Sequence, residues 1–260
     1  MNISIIITTY NSAQTIELVV NYILANITDN DQIVIVDDGS SDDTVKKIKN
    51  ISDSKINLIC SERVGRAKAL NIAVQNSAGK YLFINDADDL PNKLRFFESI
   101  KYLETGYDAV FGQALVIKDI NEAKLNIINQ ELNKTNTKDL KKIDLLSKGM
   151  LFKTLNLHHS SLAIRKNKLF EIGCYDEKLE ICIDLDLYYR FLVHNLKVCI
   201  SKNLFIARNY GDGRFYASYP PKKYMKTLLG IRKKYRLLLK PPIYTYLYDI
   251  KIYLENSFFR

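Results

Sequence analysis

An α/β fold is what this sequence predicts: a mostly parallel central sheet flanked by helices, followed by a basic helical tail. Three observations carry the expectation. Strand and helix signals alternate through the first 117 residues, the pattern of repeated β-α-β units. Acids follow two of those strands, at Asp37-Asp38 and at Asp86–Asp89, and in such sheets ligands bind at the carboxyl ends of the strands. Residues 221–260 carry ten Lys/Arg against two Asp/Glu, so +8 of the chain's net +9 lies in the tail.

Ile3–Thr8 is an apolar run that reads as the first core strand. From Ser12 to Ala25 the apolar residues Ile16, Val19, Val20, Ile23 and Leu24 recur at helical spacing. Gln32–Asp37 is the second strand. Ser40-Ser41-Asp42-Asp43 then offers hydroxyls to cap a helix and acids for its first turn. Ile56–Cys60 reads as a strand, Arg66–Gln75 as a helix, Tyr81–Asn85 as the fourth strand, Lys93–Leu103 as a helix and Ala109–Ile117 as the fifth strand. Residues 118–140, rich in Asn, Lys and Asp, read as a surface excursion. Asp144–Lys153 looks helical, Ser160–Arg165 strand-like, Asp184–His194 helical, and Leu196–Ile200 a short strand.

Composition narrows the class. Hydrophobic content of 47% and charged content of 26% are ordinary for a soluble globular protein. No apolar run reaches the roughly 18 residues of a spanning helix. Met1-Asn2-Ile3-Ser4 lacks the basic start of a signal peptide. The cysteines Cys60, Cys174, Cys182 and Cys199 show no CxxC spacing, which suits reduced thiols better than a metal or redox motif. A cytoplasmic location is the expectation, with attachment to the inner face of the cell membrane open through the tail.

Tyr81-Leu82-Phe83-Ile84-Asn85-Asp86-Ala87-Asp88-Asp89 is the most telling stretch. Strand alternation would put Asp86 and Asp88 on one side and Asp89 on the other. Crowded carboxylates repel, so the cluster makes most sense around a cation. A hard divalent ion such as Mg²⁺ takes one or two carboxylates plus substrate phosphate oxygens. A solvated acidic turn is the alternative. At Val34-Ile35-Val36-Asp37-Asp38-Gly39-Ser40 a carboxylate can accept from a base N–H or ribose hydroxyls, or serve a helix-capping turn. Together the two segments favour a nucleotide pocket, with Asp38 on the nucleoside and the second cluster on a metal-bridged diphosphate.

Ile6-Ile7-Thr8-Thr9-Tyr10-Asn11, the Val36–Ser40 turn, Gly65-Arg66-Ala67-Lys68-Ala69-Leu70-Asn71 and Asp86-Ala87-Asp88-Asp89 resemble, in order and spacing, the family 2 glycosyltransferases of the Rossmann-like GT-A fold. The likeness covers about residues 1–200 and is most specific in the first half. It implies that 1–117 is the nucleotide-sugar-binding half, 118–220 the acceptor and catalytic-base half of the same domain, and 221–260 an extension. Thr8 and Tyr10 would line the base pocket and Asp38 would contact the uracil or other base. Asp86 would face the ribose or the metal, and Asp88 would be the main ligand of Mn²⁺ or Mg²⁺, with Asp89 also a candidate. Lys68 or Arg66 would reach the diphosphate or sugar; a solvated helix face is the other reading of both.

Ile183-Asp184-Leu185-Asp186-Leu187-Tyr188-Tyr189-Arg190 resembles the family's Glu-Asp motif at a helix start, which makes Asp184 the catalytic base. Ile183 stands where the family usually has Glu, and Asp186 is the fallback; an N-capping Asp is the plainer reading. Gly173-Cys174-Tyr175-Asp176-Glu177 resembles the Gly-Gly-Phe-Asp-Glu turn ahead of that motif. His158 and His159 are acceptor-side candidates, and Arg208 or Arg214 could replace a histidine that relatives carry further on. The implied activity is metal-dependent, inverting transfer of a hexosyl or N-acetylhexosaminyl group from a nucleotide-diphosphate sugar, UDP favoured. The acceptor would be a hydroxyl of a glycan or lipid-linked saccharide, as in bacterial surface polysaccharide synthesis.

The rivals fit less well. A haloacid-dehalogenase-type phosphotransferase wants Thr or Val where Leu90 stands. A dinucleotide oxidoreductase needs a G-x-G-x-x-G after the first strand, and Thr8-Thr9-Tyr10-Asn11 is not one. A non-catalytic nucleotide-sugar binder stays open through Ile183. In the tail, basic residues alternate with leucines and tyrosines up to Pro241-Pro242. This suits an anionic membrane surface, packing on the catalytic domain, or a subunit interface. Nucleic acid is not expected, since no recognition motif accompanies the charge.

Overall fold

The computed structural model describes residues 2–118, 120–135, 143–153, 157–209 and 220–257. Its centre is β1 (Ile3–Thr9), fully apolar from Ile5 to Ile7 and buried on both faces. It pairs in parallel with β2 (Gln32–Asp38) and β4 (Tyr81–Ile84), and β3 (Ile56–Ser61) extends the sheet beside β2. The period-2 alternation splits β1 between two cores. Ile6 packs with the helix α3 (Arg66–Gln75), while Ile5 and Ile7 pack with α1 (Ile16–Leu24) and α4 (Lys93–Glu104).

Beyond β4 the sheet is mixed. β8 (Ala163–Arg165) runs antiparallel to β4 and to β6 (Ala109–Ile117); β6 pairs in parallel with β9 (Val198–Asn209). β5 (Asp89–Pro91) and β7 (Ile143–Leu145) each pair antiparallel with β9. The order is β3-β2-β1-β4-β8-β6-β9-β5, with β7 branching from β9. Parallel pairing therefore holds for the first four strands, while the later strands meet in both senses. The ladder between β6 and β9 shifts register around Gly112. A Cβ at Gly112 would lie 2.0 Å from the Phe205 ring, so only glycine lets that ring into the core.

Four local expectations change. Residues 118–140 are not simply an excursion: Leu125–Thr135 forms helix α5, and Ile128 and Leu132 are buried against the β9 side of the core. Tertiary burial of one apolar stripe outweighs a polar composition here. The segment expected to be helical from Asp144 opens instead with β7, and its helix α6 spans only Lys148–Lys153. Within Ser160–Arg165 a 3₁₀ turn occupies His159–Ser161 before β8 begins. The short strand at Leu196–Ile200 is the start of the much longer β9. Arg214 lies outside the described residues.

A short helix, α7 (Lys166–Glu171), leads toward α8 (Ile183–Val193). The tail forms α9 (Pro221–Leu239) and α10 (Tyr246–Ser257). Proline at the first turn of α9 costs no intrahelical bond, and Lys240 ends the helix in a left-handed conformation. One face of α9 packs on α8 through Leu228, Ile231, Tyr235 and Leu239. Tyr235 stacks on Tyr189 at 4.9 Å and donates to Asp186 Oδ1 at 2.7 Å. Arg232 and Arg236 are buried, with their Nε atoms on the two oxygens of Asp249 at 2.5 and 2.6 Å. That shared carboxylate clasps α9 to α10. Among the described residues, no helix is long and apolar enough to cross a membrane.

Candidate active site

The loops after β1, β2 and β4 converge at the carboxyl ends of the parallel strands. Asn11, in a left-handed conformation, takes a hydrogen bond from Ser41 N at 2.8 Å and gives its own N–H to Ser40 Oγ at 2.8 Å. Thr15 Oγ1 donates to Ala87 O at 2.9 Å, which links the first loop to the acid turn. Gly39 has φ of +76°, and a Cβ there would meet Arg63 N at 3.1 Å. The turn therefore needs glycine.

Asp38 is buried at the end of β2. Its Oδ1 accepts from Val64 N at 2.7 Å and Gly65 N at 3.2 Å. These bonds fix the entry into α3. The Arg63 guanidinium lies 3.1 Å over the ring of Tyr10, whose ring is exposed. Thr8 is half-buried beside them at the end of β1.

The acid turn is built from beneath. Asn85 Nδ2 donates to Asp86 O at 2.8 Å and Asp89 O at 2.9 Å, closing residues 85–89 around its own amide. Arg95, fully buried, donates to Asn85 Oδ1 at 3.1 Å and to Ile84 O at 2.6 Å. Burial brings the Arg95 guanidinium down to about 9, with Asp89 and Asp86 opposing. A cation thus sits under the acids.

The three aspartates have distinct environments because the chain leaves extended geometry after Ile84. Asp86 is half-buried and accepts from Arg66 Nη2 at 2.5 Å. Burial works to raise the Asp86 carboxyl, but the charge of Arg66 and its hydrogen bond, with the charge of Arg208, outweigh it and hold it below the usual range. Asp88 is exposed at the rim. The dense protein around it, and then Asp86's charge, raise its carboxyl to about 6 against Arg66 and Arg208. Asp89 is buried within β5, accepting from Ser160 Oγ and, at 3.1 Å, from Asn209 N. Burial and the two neighbouring carboxylates push it well above its ordinary value. Asp89 ties strand ends together and is the acid furthest from solvent.

Asp86 opens into a cavity of about 270 Å³, whose lining includes Arg66, His158, His159, Ser160, Asp184 and Arg208. Asp184, in the first turn of α8, is half-buried and faces this space; its Oδ1 accepts its neighbour's N–H, from Leu185, at 2.9 Å. Cys182 introduces α8 in a left-handed conformation. Ile183, Leu151, Leu157, Ile181, Leu185 and Tyr188 supply apolar walls. Where the family usually carries a second acid, this chain places a hydrocarbon. His159 is buried, with Nε2 2.9 Å from Tyr175 Oη. Burial brings its imidazole down to about 4, Arg66 adding to the effect against Asp184 and Asp86, so at neutral pH the ring is uncharged.

Asp186 does not line the cavity. It accepts from Arg190 Nε at 2.8 Å as well as from Tyr235, and so anchors α9 to α8. Lys68 is exposed on α3 and likewise does not line the cavity, whereas Arg66 does. Glu180, which lies near the expected second acid but out of register, also lines the cavity and pairs with Lys223 Nζ at 2.5 Å. Sequence reading missed one wall group from the tail: Tyr224, on α9, lines the cavity. The aromatic-basic alternation around Lys222–Lys226 was the only available signal, and it does not specify where the helix docks.

This arrangement has relatives. A family model, Glycosyl transferase family 2, matches residues 4–169, more than half of the chain. The chain belongs to glycosyl transferase family 2. A glycosyltransferase of Rickettsia prowazekii is 25% identical over 98% of this chain and 80% of its own length. The Escherichia coli UDP-Glc:alpha-D-GlcNAc-diphosphoundecaprenol beta-1,3-glucosyltransferase WfgD is 30% identical over 47% of this chain and 52% of itself. The Staphylococcus aureus TarS 1-349 crystal structure in complex with UDP-GlcNAc superposes with a TM-score of 0.67 at 18% identity, over 89% of this chain and 65% of that one. The family 2 chain spans about half the length of WfgD and just under two thirds of the TarS chain. Its fold is the GT-A fold: a central α/β sheet flanked by helices.

Proposed function

We propose that this glycosyltransferase moves a hexosyl or N-acetylhexosaminyl group from a UDP-sugar to a hydroxyl of a glycan or lipid-linked saccharide, with inversion. The observation that carries the reading is one cavity bounded by Asp86 and Arg66 from the donor side and by Asp184 from α8. The acceptor oxygen attacks the anomeric carbon as its proton passes to the Asp184 carboxylate. The bond to the diphosphate breaks in line. Arg66 and Arg208 line the same cavity and would offset negative charge on the departing group. His159, a weak base because burial holds its imidazole down to about 4, and engaged with Tyr175, is assigned to the wall. Thr8, Tyr10 and Asp38 are assigned to the nucleoside; Asp38 Oδ2 already takes Gly65 N at 3.2 Å, and its second lone pair would accept a base N–H. Lys68 is assigned to an outer approach to the diphosphate.

Mn²⁺ or Mg²⁺ fits the donor set. Asp86 and Asp88 are hard carboxylates on one turn, and their mutual repulsion is what a cation relieves. Among the described residues no three His, Cys, Asp or Glu side chains form a cage; substrate oxygens and water would have to complete the ion's shell. When bound, such an ion would offset charge on the diphosphate as a Lewis acid; Asp88 would be its main holder, with Asp86 beside it. WfgD, by its name, acts on a diphosphoundecaprenol substrate, which supports a role in bacterial polysaccharide synthesis at the cytoplasmic membrane face, with residues 221–260 as the contact.

Asp184→Asn tests the reading. Transfer should fall by at least about a thousandfold, while UDP-sugar binding stays within about twofold of the parent. Undiminished turnover would remove Asp184 as the base.

A further inference from the structure

The described residues expose fifteen large hydrophobic side chains, and seven of them fall between Leu237 and Ile250. Leu237 is 74% exposed, Ile243 85% and Leu247 65%. They gather where α9 ends, the chain turns through Pro241-Pro242, and α10 begins. The clasp of Arg232 and Arg236 on Asp249 holds this elbow in shape, so the aliphatic tips are presented and not merely loose. Lys233 lies one helical turn before Leu237 and is exposed, as is Lys240 at the bend, whereas Lys234 turns its Nζ back to Asp186 Oδ1 at 3.4 Å. The elbow's acid, Asp249, is already taken up by two arginines.

We infer that this elbow docks on an anionic lipid surface, burying Leu237, Leu238, Ile243 and Leu247 at the acyl boundary while Lys233 and Lys240 meet the headgroups. The inference deepens the membrane contact proposed above and rests on it. Charge selects the occupant. A second copy would bring another strongly cationic tail against the first, at a cost in repulsion, whereas an anionic bilayer complements the lysines and accepts the aliphatics together. Nucleic acid would match the lysines but leave the aliphatic tips in water. The same helix runs from the cavity to the elbow: Tyr224 lines the cavity, and the rise from Tyr224 to Leu238 is about 21 Å. Docking would therefore hold the cavity at a fixed height above the lipid, suited to an acceptor whose sugar projects from the bilayer.

Sedimentation of the full chain with phosphatidylglycerol–phosphatidylcholine vesicles, against phosphatidylcholine vesicles alone, tests this. The parent should pellet with the anionic vesicles only. The variant Leu237→Ser/Leu238→Ser/Ile243→Ser/Leu247→Ser changes exposed positions, so its melting temperature should hold, while its anionic-vesicle partition falls by about tenfold or more. Equal partition of parent and variant overturns the proposal. So does a parent that is dimeric by light scattering without lipid and monomeric once substituted, which would make the elbow an interface between copies. UDP binding by the same preparations reads the donor site separately, so loss of vesicle binding with UDP binding intact leaves the transferase reading standing.

Discussion

Holding His159 uncharged has a measurable thermodynamic consequence. The ring titrates at about 4 in the folded chain, because it is buried and Arg66 stands nearby; in an unfolded chain it titrates near 6.5. Above pH 6.5 both states are neutral and the residue favours neither. As the pH falls below 6.5 the unfolded chain takes up the proton first, so stability drops, and the drop is complete near pH 4. Linkage between those values gives a loss of about 2 kcal/mol by pH 5 and about 3 kcal/mol at the acid limit. His159→Gln keeps a polar group for Tyr175 and removes the titration. Urea unfolding of both chains at pH 7.5, 6, 5 and 4.5 isolates the effect, because other titrating groups are shared. The variant should hold about 2 kcal/mol more of its own neutral-pH stability at pH 5. If the two curves fall in parallel, to within about 0.5 kcal/mol, the ring is not desolvated as described, and its dismissal as a proton carrier loses its footing.

Three further outcomes are expected. Asp88→Ala should abolish the gain in UDP-sugar affinity that Mn²⁺ provides, measured by calorimetry with and without the ion; an unchanged metal-dependent gain would reassign the ligand. Asp186→Ala strips Arg190 and Tyr235 of a buried partner and should cost about 3–5 kcal/mol, lowering the melting temperature by roughly 10 °C; a loss below 1 kcal/mol would mean α9 is held by other contacts. Gly112→Ala drives a methyl into the Phe205 ring and should cost about 1–3 kcal/mol, read by the same melt; a neutral result would show that β6 and β9 can part locally.

The first half of the fold was legible because each element has one dominant period. Ile3–Ile7 and Ile33–Val36 are continuous apolar runs, as strands covered on both faces must be, and α3 runs over Arg66–Gln75 as its spacing foretold. Legibility failed where neighbours decide. β5 hides inside the acid cluster, since Asp89 becomes strand only by meeting Arg208 across the sheet. α5 hides in a polar stretch, because two buried residues, Ile128 and Leu132, suffice to dock it. At the site the spacing of acids marked the loops, and of those acids Asp86 lines one cavity with Asp184. What spacing could not say is which of Arg66 and Lys68 turns inward. The helix phase decides, and that phase is set by burial of Ala67, Leu70 and Asn71. Arg208 and Tyr224 reach the cavity from far along the chain: the resemblance alone points to Arg208, and Tyr224 sits in an aromatic-basic alternation that does not say where its helix docks.

The placement of Tyr224 has a consequence for how such proteins can be altered. The aspartates, the arginine that meets them, and Thr8, Tyr10 and Asp38 belong to strands and loops near the start of the chain, whereas part of the opposite wall arrives on a helix docked from outside the sheet. Replacing or repacking that helix would redraw that side of the cavity without disturbing the loops after β1, β2 and β4. Removing it would not shorten an inert appendage; it would take down one side of the chamber.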